Sequence, residues 1–239
     1  MKQISLLNST NPFPYEVIRS KRITLVVYVR KGQVEVRAPM RAPMYWIQSF
    51  LKEKTPWILE QLVSQKQKQA ESLVIADGRE FTFLGKSRVI AVVLAKQQKA
   101  VLKGDTLYLS GRDSSKATLE KVFNTWLLDQ AREYMATQTI KTARLLGVDH
   151  KLKEVVFRKT KSKWGHCCED GTIQYNWLTM MAPREVVDYL IAHETSHLRH
   201  LNHSQKFWNT VGTLCPNYKD LRHWLTDNGH RFWPRSSAY

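Results

Sequence analysis

Short apolar runs that alternate with polar residues are concentrated in the N-terminal half of the chain, as in half-buried β-strands. Arg22 to Val29 is rich in β-branched residues, and a turn at Gly32 followed by Gln33 to Val36 predicts a β-hairpin. Three further strands are predicted at Glu80 to Leu84, Arg88 to Leu94 and Thr106 to Leu109. This half of the chain is therefore expected to contain much β-sheet.

A helical pattern interrupts these strands. Residues Tyr45 to Gln69 carry apolar side chains at helical spacing. Near the middle, Thr55 and Pro56 provide a suitable N-cap and first-turn proline for a new helix. The segment is therefore expected to form two helices or one broken helix.

Longer helical patterns characterise the C-terminal half. A helix is predicted from Thr118 to Leu146, ending before Gly147. The remaining predictions are a strand at Lys153 to Arg158, a hairpin of Thr160 to Cys168 with Thr172 to Leu178, and helices at Pro183 to Arg199, Gln205 to Leu214 and Tyr218 to Asp227. The change of pattern at Gly111 to Ser115 places a domain boundary near residue 113, between a mixed α/β N-terminal domain (1–113) and a second domain (114–239). No internal repeat is evident, and the expected fold class is α+β, with a strand-rich N-terminal region followed by an active-site helix and a short sheet.

Composition narrows the class of protein. The chain has 239 residues, of which 43% are hydrophobic, and it has no run of roughly 18 apolar residues that would span a membrane. The N-terminus lacks a signal-peptide pattern, so a cytoplasmic location is expected. The chain has three cysteines, an odd number, so no disulfide framework is expected. The 37 Lys and Arg outnumber the 21 Asp and Glu, giving a formal charge of +16, which indicates either a basic face that binds polyanions such as nucleic acids or nucleotides, or a surface charge that only keeps the protein soluble.

A metal-binding pattern lies in the predicted helix at Pro183 to Arg199. His193, Glu194 and His197 fit H-E-x-x-H, in which the two histidines are one helical turn apart on the same face. Neutral imidazoles suit Zn²⁺, and the glutamate between them is placed to act as a general base toward water. The pattern therefore indicates metal-assisted hydrolysis.

A catalytic zinc site needs a third protein ligand. His203 lies six residues after His197, a spacing found in zincins whose chain bends sharply after the helix. The usual glycine of that bend is absent, and Asn202 is expected to supply a left-handed conformation in its place. His203 is favoured as the third ligand. The rival ligands, all further along the chain, are Asp220, His223 and Asp227.

Four stretches of the sequence resemble the YgjP-like predicted metal-dependent hydrolases, relatives of the SprT-like zinc metallopeptidases. The stretches are Lys161 to Cys167, Gly171 to Trp177, Tyr189 to Leu198 and Asn202 to Trp208, and they occur in the family's order. The resemblance implies a zincin-like catalytic domain in which His193, His197 and His203 bind zinc and Glu194 is the catalytic base. It also implies a metallopeptidase that acts on polypeptides.

Residues before the helix are expected to contact substrate. Zincins commonly present an edge strand to an extended peptide, and Trp164 and Gly165 are placed to line such a cleft. Arg158, Lys161 and Lys163 are expected to meet anionic groups there, or else to be a solvated basic edge. The polar candidates for an oxyanion stabiliser are His166, Tyr175, Tyr218 and His223, among which the sequence does not decide.

Two other functions remain open at this point. The motif alone does not name the scissile bond, since zinc also polarises phosphoryl oxygens, so hydrolysis of a nucleotide phosphoanhydride is one alternative. A nucleic-acid-binding protein with structural zinc is the other. No membrane partner is expected, and the sequence does not indicate an oligomeric state.

Overall fold

The computed structural model describes residues 4–7, 11–30, 32–160 and 163–232. Within them the chain has the α+β fold that the sequence predicts, with most strands in the N-terminal part. The chain forms two compact units, Met1–Glu71 and Ser72–Tyr239, and each has its own hydrophobic core. No helix in the described ranges has both the length and the apolar content that crossing a membrane requires.

The first unit consists of a four-stranded sheet and one long helix. Its elements are β1 (Ile4–Leu7), β2 (Tyr15–Ser20), β3 (Val26–Arg30), β4 (Gln33–Pro39) and α1 (Met44–Ala70). The strand order is β1-β2-β4-β3, with β2 and β4 parallel and the two outer pairs antiparallel. Val34 and Val36, which alternate with more exposed residues on β4, share a core with Leu51 and Ile58 of α1. The sheet is thus covered by the helix that follows it.

Helix α1 continues through Pro56, in contrast to the break predicted there. The hydroxyl of Thr55 donates a hydrogen bond to the carbonyl of Leu51 (2.8 Å) and does not cap a new helix. Leu51 and Ile58, on either side of the proline, are both fully buried in the same core. Packing against one sheet therefore keeps the two halves in a single helix.

The second unit begins with another four-stranded sheet and long helix. These elements are β5 (Glu80–Phe83), β6 (Lys86–Leu94), β7 (Lys99–Lys103), β8 (Thr106–Gly111) and α2 (Lys116–Leu145). Ile90 of β6 and Leu107 of β8 are fully buried with Phe123 of α2. Ser115 caps α2 by accepting a hydrogen bond from the Thr118 N–H (3.3 Å).

The two sheets have the same topology. The order β5-β6-β8-β7 repeats β1-β2-β4-β3, and in each sheet the central pair is parallel and the outer pairs are antiparallel. The following helix starts after residues 40–43 in one unit and after residues 112–115 in the other. Gly32 and Gly104, before β4 and β8, have φ of 73° and 55°, which glycine adopts without steric cost. A ββββα arrangement therefore occurs twice, although no repeat is visible in the sequence, because topology depends on apolar alternation and turns more than on residue identity.

The rest of the second unit adds a small sheet and three helices. These elements are β9 (Glu154–Arg158), β10 (Gly165–Cys167), β11 (Thr172–Asn176), α3 (Arg184–Ser196), α4 (Gln205–Leu214) and α5 (Tyr218–Asn228). The strand order is β10-β11-β9, which leaves β10 at an edge, antiparallel to β11. Helix α3 packs against α2, α4, α5 and β10. It is therefore the central element of this region.

Residue 113, near which the sequence places a domain boundary, lies in the loop between β8 and α2. Leu109 before this loop and Phe123 and Leu127 after it belong to one hydrophobic core. The chain passes from one compact unit to the other between Glu71 and Ser72. The division into 1–113 and 114–239 stays a prediction of the sequence pattern.

Candidate metal centre

Helix α3 positions His193 and Glu194, and His197 follows directly after its last residue. The helix buries Val187 and Ile191 in the core, which fixes its rotation about its own axis. The ring centroids of His193 and His197 are 5.1 Å apart, as expected for residues one turn apart on the same face. The two histidines of the motif therefore point to the same region.

His203 lies in the loop between α3 and α4, and its imidazole reaches the other two. Its Nε2 atom is 3.1 Å from Nε2 of His193. The predicted left-handed bend at Asn202 is wrong, because Leu84 is the one non-glycine residue with positive φ among the described residues. The Asn202 side chain instead accepts a hydrogen bond from the Ser204 N–H (3.3 Å), which turns the chain into α4 without that strain.

Aromatic side chains of α4 hold the imidazoles in place. The fully buried ring of Phe207 stacks on His197 with a centroid distance of 4.4 Å. Trp208 stacks on His203 at 5.5 Å, and Tyr218 stacks on Trp208 at 5.1 Å. The orientations of the histidine rings are thus set by packing.

One donor nitrogen from each of the three histidines could hold a metal ion, because the three atoms lie within 4.8 Å of one another. Two nitrogens bound to a tetrahedral zinc at ~2.0–2.1 Å are separated by roughly 3.3–3.4 Å, close to the 3.1 Å between the Nε2 atoms of His193 and His203. His197 Nδ1 forms a 3.0 Å hydrogen bond with the carbonyl of His200, which leaves its Nε2 for a cation.

The electrostatic surroundings keep the buried histidines neutral. Burial, then the charges of His197 and His203, lowers the pKa of His193 to about 3, and burial also lowers the pKa of His197. The Nδ1 atom of His193 is buried and has no hydrogen-bond partner among the described residues. Neutral imidazole is the form that binds metals. A metal ion bound to a ring nitrogen would replace part of the interaction with water that the nitrogen loses on burial.

Glu194 is buried beside the histidines and lies directly against β10. Its exposed fraction is 4%, and burial raises its pKa to about 8, with the charge of Lys163 acting in the opposite direction. A Cβ atom placed on Gly165 would lie 2.6 Å from both Cγ and Cδ of Glu194. Glycine at position 165 therefore allows the strand to approach the carboxylate.

Two depressions flank the centre. One, of about 220 Å³, opens beside His193 and Glu194, between the start of β10 and Arg222 of α5. The other, of about 320 Å³, is bordered by His197 and by the loop after β10 that contains Glu169. An extended chain along β10 would pass from one depression to the other.

The predicted substrate-binding residues have different positions. Lys163, Trp164 and Gly165 line the 220 Å³ pocket, and Trp164 also packs edge-on against Phe232 at 5.9 Å. Arg158 ends β9, at the edge of the sheet opposite β10, and does not line this pocket. Lys161 lies outside the described residues. Substrate contacts by all of these residues stay predictions.

The rival ligands and most oxyanion candidates are placed elsewhere. Asp220, His223 and Asp227 are exposed on α5 and are not part of the histidine cluster. The Tyr175 hydroxyl is fully buried and is 3.0 Å from the hydroxyl of Thr139, within the core. His166 is exposed on β10, and Tyr218 belongs to the aromatic stack described above.

Sequence reasoning missed three polar residues that line the pocket, Tyr189, Arg222 and Thr226. Tyr189 precedes His193 by one helical turn, so its spacing on the helix was an available signal. Arg222 lies on a separate helix, and no local pattern relates it to the histidines. Its position depends on how α5 packs against α3.

Comparisons with known proteins identify a family that matches most of the chain. The YgjP-like, metallopeptidase domain family matches residues 21–228. Among solved structures, the chain is similar to the crystal structure of the metallopeptidase zymogen of Pyrococcus abyssi abylysin, with 22% identity and a TM-score of 0.35. That match covers 39% of this chain and 93% of the other. No curated protein is significantly similar to the chain.

Proposed function

Because the chain belongs to the YgjP-like metallopeptidase domain family, we propose that it is a zinc-dependent peptidase that uses Glu194 as general base. His193, His197 and His203 are the proposed zinc ligands. The observation that carries the proposal is the convergence of these three imidazoles beside a buried carboxylate, at the edge of a sheet.

Three protein ligands are the number found in catalytic zinc sites, whereas structural sites are usually closed by four. Zinc held here would polarise the scissile carbonyl and make water more acidic. Glu194 lines the same pocket as His193, so its carboxylate is placed to work on a water molecule in that pocket. These features support a catalytic rather than a structural use of the metal.

Glu194 would move the proton during peptide hydrolysis. In its ionised form, which a cation bound by the histidines would favour, the carboxylate accepts a proton from the attacking water as the new C–O bond forms. It then gives this proton to the amine nitrogen as the C–N bond breaks, so the base is regenerated. Gly165, which has no Cβ, lets β10 lie against the side chain proposed to make both transfers.

Strand β10 supports a polypeptide substrate. It pairs with β11 on one side through Gly165 opposite Tyr175 and His166 opposite Gln174, and it lies at the edge of its sheet. An extended peptide can add to such an edge through backbone hydrogen bonds. This addition would bring the peptide past the side chains of Glu194 and His193.

The decisive experiment compares the Glu194→Gln protein with the wild type and with Glu185→Gln, an exposed glutamate on the same helix. Wild type and both variants are expected to bind about one zinc per chain, measured by metal analysis. Cleavage of a casein-like protein is expected to fall about 100-fold or more in Glu194→Gln alone, because the amide keeps the shape but cannot act as a base. Undiminished cleavage by Glu194→Gln would refute the assigned role.

The same proteins also test the two alternatives that the basic composition raises. Each is incubated with the four ribonucleoside triphosphates and, separately, with DNA. Glu194-dependent release of phosphate or diphosphate without peptide products would replace the peptidase with a nucleotide hydrolase. Tight DNA binding without either product would favour a binding protein with structural zinc.

A further inference from the structure

Two cationic side chains line the 220 Å³ pocket beside Glu194. Lys163 precedes β10, and Arg222 lies on α5. Both residues are exposed, and in the part of the chain that the structure describes neither forms an ion pair with an acidic side chain. Glu194 is the one acidic residue among those that line the pocket. The pocket therefore has cationic groups that are available to a ligand.

Arg222 is held in a defined position relative to the histidines. Its guanidinium carbon lies 5.3 Å from the centroid of the Trp208 ring, a cation–π distance. Trp208 is itself stacked on His203, with ring planes 21° apart. Arg222 thus packs on Trp208, and Trp208 packs on His203 of the candidate metal centre.

Lys163 lines the same pocket from the segment just before β10. It lies two positions before Gly165, where an added Cβ would meet the side chain of Glu194. A peptide lying along β10 would carry the residue beside its scissile bond past the pocket that both cations line. A carboxylate at that position could bind both cations.

The depression on the other side of the centre has a different charge. Two acidic residues, Glu169 and Asp170, line it, and Lys151 is the one Lys or Arg among its lining residues. The Asp170 carboxylate is paired with Lys153 (2.7 Å), so the charges around this depression are mixed. The pocket beside Glu194, with Lys163 and Arg222, therefore offers a substrate carboxylate the more cationic lining.

We propose that Arg222 and Lys163 form a subsite for a carboxylate of the polypeptide substrate next to the scissile bond. This inference rests on the proposed peptidase function and names the substrate class of that site. A guanidinium binds a carboxylate through two parallel hydrogen bonds, and the ammonium adds a point charge. The carboxylate is either an Asp or Glu side chain or the C-terminal carboxylate of the chain.

The test uses matched peptides that differ in one charge. Glu is exchanged for Gln on each side of the scissile bond in turn, and a third pair compares a free C-terminus with an amidated one. For the wild type, we expect kcat/KM to be about tenfold higher for the Glu peptide than for the Gln peptide when the exchanged residue lies on one side of the scissile bond only. The reason is that a charge-assisted hydrogen bond to a carboxylate is stronger than a hydrogen bond to the neutral amide of Gln. The C-terminal pair tells the two sources of the carboxylate apart.

Variants identify the residues responsible. Arg222→Gln and Lys163→Gln are each expected to lower the Glu-to-Gln preference, and the double variant to bring it within about twofold of unity. Lys219→Gln is the matched control, because this exposed lysine is on α5 but does not line the pocket. Arg222→Glu is expected to favour a Lys peptide over the Glu peptide.

A direct binding measurement separates this inference from the proposed function. Zinc-loaded Glu194→Gln protein is titrated calorimetrically with the Glu and Gln peptides, which requires no turnover. Equal binding and equal cleavage of the two would overturn the subsite while leaving a peptidase. Preferential binding of the Glu peptide that is lost in the Arg222 variant would support the subsite even if no peptide were cleaved. Absence of cleavage would then contradict the peptidase proposal but not the subsite.

Discussion

At the scale of single residues, His203 differs from the other two histidines because it is exposed and lies on a loop. We expect His203→Ala to weaken zinc binding by at least about 100-fold, since loss of a ligand should exceed the ~10–100-fold effect of outer partners. Asp220→Ala and Asp227→Ala should bind zinc as the wild type does. Competition with a chromogenic chelator measures all three affinities, and equal retention by His203→Ala would exclude it as a ligand.

Gly165 gives a second prediction at this scale. We expect Gly165→Ala to bind zinc but to lose about 100-fold or more in peptide cleavage, because the added methyl group displaces the carboxylate of Glu194. Gly212→Ala on α4 is the control, since its Cβ would meet Tyr218 at an ordinary 3.6 Å. Zinc analysis with kcat/KM on one peptide checks both variants. A Gly165→Ala protein of normal activity would show that the carboxylate needs no such support.

At the scale of elements, α4 holds the imidazoles through Phe207. We expect Phe207→Ala to lower the free energy of unfolding of the metal-free protein by about 3–5 kcal/mol, the usual range for a buried aromatic side chain. Zinc binding should weaken too, because His197 loses the ring stacked on it. Lys206→Ala, exposed on the same helix, is the control. Denaturant unfolding in chelator, followed by zinc titration, separates the two effects, and unchanged zinc affinity would argue against a positioning role for α4.

The helices and strands also show which parts of the fold the sequence could predict. The bounds of α4 agree with the prediction, because its apolar spacing is a local signal, although the Ser204 side chain before it forms no capping hydrogen bond. β1, β2 and β7 were not predicted. Two prolines precede β2, and in β7 a three-residue apolar run lies between lysines, so neither strand has a clear alternating pattern. β2 depends on pairing with β4, where Val34 lies opposite Tyr15, whereas β7 pairs with the next strand, β8, across the turn at Gly104 and Asp105.

The candidate site likewise has features that the sequence could predict and features that it could not. The spacing of His193, Glu194 and His197 is a property of one helix, so the sequence could predict that they share a face. The contact between Gly165 and Glu194 and the position of Arg222 arise from packing between elements. Such contacts have no local sequence signal.

At the scale of the whole molecule, the two separate cores predict two unfolding transitions in calorimetry. We expect Ile58→Ala to lower the Tm of one transition and Phe123→Ala to lower the Tm of the other, each by removing a fully buried side chain. Zinc should raise the Tm of the transition sensitive to Phe123→Ala, since ligand binding stabilises the unit that holds it. A single transition lowered by both variants would show that the units unfold together.

The repeated ββββα topology has a consequence for how the chain reaches its fold. Two sheets of identical order offer each strand a second set of partners, and a strand paired in the wrong sheet is a trap. On a ribosome, which releases roughly 5–20 residues per second, the first copy emerges and can close before the second is made. A denatured chain returned to buffer presents both copies at once. We therefore expect this chain to fold more completely during synthesis than after dilution from denaturant.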